Sequence, residues 1–421
     1  MFKFKLKFLS MKNISIFLLG SISALIYSLS SHTLTLWLTD LKVRSTFLGF
    51  VSAGYIIHAL RIFWIPIFEK FDIPFLSRFL DRSSSWVVCF ICLGGISLVR
   101  VSYLNPSSDL VMFIACIVIA CVSMSIVDTL LRSKIIRMSN DSNEQTVLSG
   151  LGAFGFKLGM FCATQLFLLL AIRFGFTWEM IYRVCGTFIV LSSGIVFLLP
   201  NVENTESKSL SALLILPIKD FLQRHKGHVK YIVGFMVFFR LQDKLLAPVV
   251  AKFFYSLKPK SVIPVLDSMT GREIFAWSKT LGALLMAFGV LGSIALLKKY
   301  SYRTNAIFSV ILHSLSCIPL FILNNQSSHA VSFIFFTLLL EKVIRTLSTN
   351  VYYLYQPRFC NKQYASGQIA FIGFVETVSG AVLGISSGYL VQYFSWNVLF
   401  IIASFVSLPV LYFVYKLPKD L

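Results

Sequence analysis

The chain has 421 residues, of which 57% are hydrophobic and 13% charged, and a formal net charge of +20. Soluble globular domains carry about a quarter charged residues, so the composition excludes a soluble domain and implies an integral, all-α membrane protein. The positive charge is read through its positions, which favour membrane topology over nucleic acid as its explanation.

Apolar blocks of about twenty residues, the length a helix needs to cross roughly 30 Å of hydrocarbon, recur twelve times. They lie at 13–38, 46–68, 85–103, 109–133, 147–172, 178–199, 229–254, 277–297, 303–323, 330–353, 365–391 and 395–415. The first follows Lys3, Lys5, Lys7 and Lys12. It is too long for a signal-peptide core and lacks a small-x-small cleavage site, so it reads as a retained span. His32 lies within it. In the second, His58 and Arg61 sit three residues apart. A lone histidine on a helix reads as simply hydrogen-bonded, whereas Arg61 reads as a substrate-facing cation. In the third, Cys89 and Cys92 stand one turn apart with no further ligands at metal-site spacing. Packing explains them better than zinc or redox work, and no metal or other cofactor is expected.

Glycines concentrate in spans 2, 5, 8 and 11, as in Gly155-x3-Gly159 and Gly380-x3-Gly384-x3-Gly388. Small residues on one helix face let backbones approach closely. Segment 201–228 is polar, with Glu203, Glu206 and Lys208 and the basic end Arg224-His225-Lys226. It reads as a cytoplasmic linker holding a short amphipathic helix around 210–222.

Span 7 carries FFRLQDKLLAPVV, in which Arg240, Asp243 and Lys244 interrupt an apolar run. Each ionisable residue at mid-bilayer depth costs about 2.5–3.5 kcal/mol on insertion scales. Neighbours at i, i+3 share a helix face, so Arg240 reaches Asp243. Span 10 repeats the device with Glu341, Lys342 and Arg345, where Glu341 and Arg345 are an i, i+4 pair. Two readings stand. Asp243 and Glu341 relay protons while Arg240, Lys244 and Arg345 attract an anionic substrate; or the pairs are permanent and fix helix packing. Glu376 in span 11 has no cation near it in sequence and reads as protonated at rest.

The chain also carries an internal repeat. At one ungapped offset, Asn143, Gln145, Gly155, Phe156, Ala163, Phe176, Trp178 and Pro200 coincide with Asn361, Gln363, Gly373, Phe374, Ala381, Phe394, Trp396 and Pro418. The offset maps span 5 onto 11 and span 6 onto 12. A shift of six spans preserves membrane orientation. Two parallel six-helix halves, 1–200 and 229–421 around the linker 201–228, are the pattern of the major facilitator fold. In that fold spans 2, 5, 8 and 11 line the seam between halves. With the N-terminus inside, cytoplasmic segments hold 21 Lys and Arg against seven outside, which places both termini in the cytoplasm. The basic outer loop 255–276 is the exception.

The stretch GYIIHALRIFWIPIFEKFDIPFLSR, residues 54–78, resembles the AmpG-type muropeptide permease family at Gly54, Tyr55, Leu60, Phe63, Trp64, Pro66, Pro74, Phe75, Leu76 and Arg78. So do Leu36-Trp37-Leu38-Thr39, FRLQDK at 239–244, CNKQYASGQIA at 360–370 and SWNVLF at 395–400. The resemblance covers both halves. It also places a carboxylate at Glu341 and a cation at Arg61. This chain has Glu69-Lys70 for the family's Asp-Arg, a single Asp128 for an acidic pair late in span 4, and Gly380 for an arginine late in span 11.

The resemblance implies a proton-driven permease of a bacterial inner membrane that imports anhydro-muropeptides. The expected partners are therefore a small-molecule substrate, protons and the lipid bilayer. The rivals are a permease for another amphiphilic anion or peptide, and a non-transporting receptor or scaffold of the same fold. No nucleophile–base pair, metal cluster or phosphate-binding glycine loop points to an enzyme.

Overall fold

The computed structural model describes residues 10–31, 33–34, 37–38, 54–106, 108–167, 174–202, 209–246, 249–250, 253–254, 257, 259–260, 282, 285, 288–296, 299–326 and 329–417. Residues 1–9 with Lys3, Lys5 and Lys7, His32, Glu203, Glu206, Lys208 and nearly all of loop 255–276 lie outside them, as does the side chain of His58.

The described residues are helices and turns, apart from a parallel two-residue ladder pairing Pro259 with His329 and Lys260 with Ala330. Seven of the helical segments among them are long and apolar enough to cross a membrane. The helices of spans 7 and 10 do not qualify by apolarity, because they carry the charged residues noted above. The chain divides into two compact units: Met1–Phe221 with Cys360–Phe374, and Leu222–Phe359 with Val375–Leu421.

In the first unit the helices are α1 (Met11–Ser30), α2 (Gly54–Lys70), α3 (Arg82–Val101), α4 (Leu110–Met138), α5 (Ser142–Phe161), α6 (Trp178–Ser192) and α7 (Leu210–Arg224), the last ending just beyond it. Side-chain caps start α1, α3, α5 and α6. Ser10, Asp81, Asp141 and Thr177 each accept from a backbone N–H three residues on, satisfying a donor the helix leaves orphaned. Helices α1 and α5 pack backbone to backbone. A Cβ at Gly155 would drive into the Phe17 carbonyl oxygen, and one at Gly159 into that of Ser21. Gly155 and Gly159 of span 5 thus serve close packing on span 1 inside this unit.

The apolar core of the unit holds Trp37, 4.8 Å from the Tyr182 ring and 5.8 Å from Phe113, with the Tyr182 hydroxyl donating to Leu29 O at 2.6 Å. At one end of the unit lies a charged cluster. Lys134 Nζ meets Asp81 Oδ2 at 2.6 Å, Arg82 meets Asp72 at 2.8 Å, and Arg137 pairs with Glu69 and reaches Ser366. The helix expected in the linker is α7. It buries Leu213, Pro217 and Phe221, with Pro217 against Gly367 and Phe221 against Phe371.

The second unit holds α8 (Val229–Leu246), α9 (Tyr302–Leu315), α10 (Ile318–Asn324), α11 (Val331–Tyr355), the later part of α12 (Ala365–Tyr393), α13 (Trp396–Val406) and α14 (Pro409–Lys416). Spans 9 and 12 are each broken into two helices. Pro319 and Pro409 stand in the first turn of α10 and α14, where the missing N–H costs least. One apolar core gathers Phe253, Phe254, Leu320, Leu338 and Phe400.

Candidate functional site

Five of the six candidate site residues meet in the second unit. The i, i+3 spacing on α8 brings Arg240 Nη1 to 2.9 Å from Asp243 Oδ2. On α11 the i, i+4 spacing brings Arg345 Nε to 2.9 Å from Glu341 Oε1, while Lys342 Nζ holds Glu341 Oε2 at 3.0 Å. The two helices are joined by Arg345, whose Nε also lies 3.4 Å from Asp243 Oδ1. One guanidinium therefore serves two carboxylates on different helices. The Glu341 side chain is 4% exposed and that of Asp243 17%.

Lys244, one residue on from Asp243, runs along α12. A Cβ at Gly380 would stand 2.8 Å from its Cγ and Cδ. Gly380 is the position where the resembled family carries an arginine, so here the lysine of α8 fills the space beside a bare helix face. One turn earlier on α12, Glu376 accepts from the Tyr352 hydroxyl and from Gln356 Nε2 at 3.2 Å. These are two neutral donors that sequence reasoning did not see. The Arg240 guanidinium lies 5.1 Å from the Tyr353 ring centre and 6.0 Å from that of Tyr352, within cation–π range.

Two further residues were missed. His313 on α9 is fully buried, with Nε2 3.9 Å from Asp243 Oδ1 and Nδ1 3.1 Å from Ser348 Oγ. Its ring stacks on Phe239 at 5.4 Å and 13°, and Phe239 stacks in turn on Tyr352 at 5.0 Å. Gln242 ties α8 to the break between α9 and α10: its Nε2 donates to His313 O at 2.9 Å and Ser316 Oγ at 2.8 Å, and its Oε1 accepts from Ser407 Oγ at 3.0 Å. Seventy residues separate Asp243 from His313, and no periodic signal links them. Gln242 stands in the FRLQDK stretch, where its neighbours' charges drew attention away from it.

Arg61, the sixth candidate, belongs to the first unit. Its Nη1 lies 3.3 Å from Thr129 Oγ1 and 3.5 Å from Asp128 Oδ2, and Asp128 Oδ1 also takes Arg132 Nε at 3.0 Å. The guanidinium rests against Gly373, where any side chain would collide with it.

In chemical terms the cluster on α8, α11 and α12 brings together four cations, Arg240, Lys244, Lys342 and Arg345, and three carboxylates, Asp243, Glu341 and Glu376. Such a group attracts an anion, and its carboxylates can take protons. Among the described residues no cluster of three or more His, Cys, Asp and Glu could hold a metal ion.

The chain is similar over nearly its whole length to bacterial proteins named "Putative transporter AmpG 2". The protein of that name from Rickettsia bellii (strain RML369-C) is 27% identical over 410 residues, 94% of each chain. That from Rickettsia prowazekii (strain Madrid E) is 26% identical over 432 residues, covering 100% of this chain and 99% of its own. No family model matches. Among solved structures, the major facilitator proton:xylose symporter XylE matches with a TM-score of 0.70 at 12% identity, covering 97% of this chain and 96% of its own. The human organic anion transporter MFSD10 matches with a TM-score of 0.66 at 11% identity, covering 96% and 99%. At such identities the likeness concerns the fold, the twelve-helix all-α membrane fold of the major facilitator superfamily. These relatives and structural neighbours are transporters rather than enzymes. The chain is a multi-pass membrane protein of the major facilitator fold, similar along nearly its full length to the proteins named "Putative transporter AmpG 2".

Proposed function

We propose that this protein is a proton-coupled secondary transporter that imports anhydro-muropeptide-like cell-wall fragments across a bacterial inner membrane. Its halves are 1–200 and 229–421, its linker 201–228, and both termini are cytoplasmic. The observation that carries the reading is the sharing of Arg345 between Asp243 and Glu341. Asp243 has Arg240 and Glu341 has Lys342 to itself. The third cation, Arg345, is divided between the two, so neutralising either carboxylate by a proton changes what holds the other.

Asp243 and Glu341 are the proton-coupling groups, and Arg240, Lys244, Arg345 and Arg61 bind the anionic substrate. Protonation of Asp243 removes the partner of Arg240 and loosens Arg345, which leaves both guanidinia to a carboxylate on the substrate. Arginine suits that task because its fork of donors matches a carboxylate bidentately. A second reading, transport of another amphiphilic anion or peptide, has support in the surplus of cations, which is indifferent to the sugar. It also has support in a fold shared with an organic anion transporter.

Uptake of labelled anhydro-muropeptide into proteoliposomes tests both. Accumulation that needs an acid exterior and collapses with a protonophore is the expected result. Accumulation of a different organic anion in its place supports the second reading. Absence of any uptake by well-folded protein refutes both and leaves a receptor or scaffold.

A further inference from the structure

The network contains two buried atoms that face each other with no hydrogen-bond partner, His313 Nε2 and Asp243 Oδ1, 3.9 Å apart. Buried polar atoms of this kind call for an explanation. The other side of the imidazole supplies one. Ser348 has a single hydroxyl proton, and it gives that proton to the Arg345 carbonyl at 2.9 Å. The contact between Ser348 Oγ and His313 Nδ1 at 3.1 Å must then be donated by the histidine. This fixes the proton of the neutral ring on Nδ1 and leaves Nε2 a bare lone pair. Opposite it stands a carboxylate oxygen that accepts no hydrogen bond, with Arg345 Nε 3.4 Å away as an ion-pair partner. Two acceptors confronting each other in a buried place can share one proton.

We infer that His313 and Asp243 together form the proton-binding site of this protein, with the transported proton held on His313 Nε2 and shared with Asp243 Oδ1. This rests on the transport reading above and deepens it. The route follows from burial: the Asp243 side chain is 17% exposed and His313 is fully enclosed. A proton therefore arrives at the carboxylate and passes one step inward to the ring. Phe239 stacked on one face, and the hydrogen bond to Ser348, hold the ring in place to receive it.

The consequence reaches the arginines. A charged hydrogen bond from N–H to carboxylate closes at about 2.8 Å, so protonation draws Asp243 roughly 1 Å toward His313. The charged groups that face this pair are Arg240 and Lys244 on α8 and Glu341 and Arg345 on α11. Arg240 and Arg345 are the two cations that lose Asp243 when it turns. Proton binding thus frees guanidinia for an anion. By linkage the anion promotes proton binding to the same degree.

The test uses the full-length protein in lipid nanodiscs, labelled with nitrogen-15 at histidine and read by NMR. The His313 signals are assigned by their loss in His313→Asn. At alkaline pH the Nδ1–H tautomer is expected, and acidification is expected to protonate Nε2. The opposite tautomer, or an Nε2 that stays bare until the protein unfolds, overturns the inference. A second measurement follows proton uptake from weakly buffered solution when anhydro-muropeptide is added. Wild type is expected to take up protons. His313→Asn, which keeps a donor where Nδ1 stands and has nothing where Nε2 stands, is expected to lose at least about tenfold of that uptake, the scale of one pKa unit of coupling. Undiminished uptake in His313→Asn overturns the inference. If wild type binds no anhydro-muropeptide, the transport reading fails, while the NMR result still upholds or refutes the proton site.

Discussion

Buried charge in a membrane protein has a simple explanation, a fixed pair that neutralises itself. Lys134 and Asp81 fit it: they meet at 2.6 Å and are nearly unexposed, and each carboxylate oxygen has other partners as well. Asp243 does not fit it, because its Oδ1 accepts no hydrogen bond and the cation nearest that oxygen, Arg345, stands 3.4 Å away. Glu341 sits between the two cases, held from both sides by Lys342 and Arg345. Glu341→Gln removes the charge that both cations share in a nearly closed setting. The expected cost is about 3–5 kcal/mol, as for breaking a buried ion pair from one side, read as a lower thermal unfolding temperature in detergent. An unchanged temperature would mean that solvent reaches this pair and that it is not the closed bridge described here. The pairs within a helix, Arg240 with Asp243 and Glu341 with Arg345, were legible in the sequence because spacing alone puts them on one face. His313 with Asp243 and Tyr352 with Glu376 were not, because tertiary packing sets those distances.

Helix contacts in the first unit turn on single glycines, and two neighbouring positions on α5 should behave oppositely. Gly155→Ala places a methyl on the Phe17 carbonyl oxygen. Backbone cannot step aside as a flexible side chain can, so the helices must separate, at the 1–3 kcal/mol typical of overpacking. At Gly152 the same methyl meets Ile16 Cγ2 at 3.5 Å and Ile135 Cδ1 at 3.6 Å, ordinary contact. There the gain of about 0.8–1.0 kcal/mol in helix propensity makes Gly152→Ala neutral or stabilising. Thermal unfolding of the two variants checks the contrast.

The start of α3 gives a pH-dependent case outside the spans. Burial pushes the Asp81 carboxyl up, but the Lys134 ammonium and hydrogen bonds from Lys134 and Ser84 more than offset this, and its pKa lies below the usual aspartate value. A depressed folded pKa means stabilisation that is complete above the unfolded value of about 3.9. It is lost as pH falls through the folded value. Asp81→Asn should therefore lower the unfolding temperature at pH 7, and the gap from wild type should close in strong acid. A gap that persists there would assign the effect of Asp81 to capping alone.

At the scale of the whole chain, hydropathy located the helical blocks, and among the described residues every α-helix but α7, which lies in the linker, falls on one of them. Hydropathy did not foresee that Pro319 and Pro409 divide spans 9 and 12, since a proline in an apolar block permits either a kink or a break. Nor did it say which helix the glycines of α5 pack against, because composition carries no partner. The resemblance at residues 54–78, 239–244 and 360–370 pointed to the same relatives that full-length similarity identifies.

The central claim is that the charged group on α8 and α11 couples protons to the movement of an anion. Gradient-driven accumulation and gradient-free exchange of labelled anhydro-muropeptide, measured side by side in proteoliposomes bearing Asp243→Asn, test it most directly. The account predicts that accumulation is abolished while exchange continues. Accumulation equal to that of wild type would contradict it.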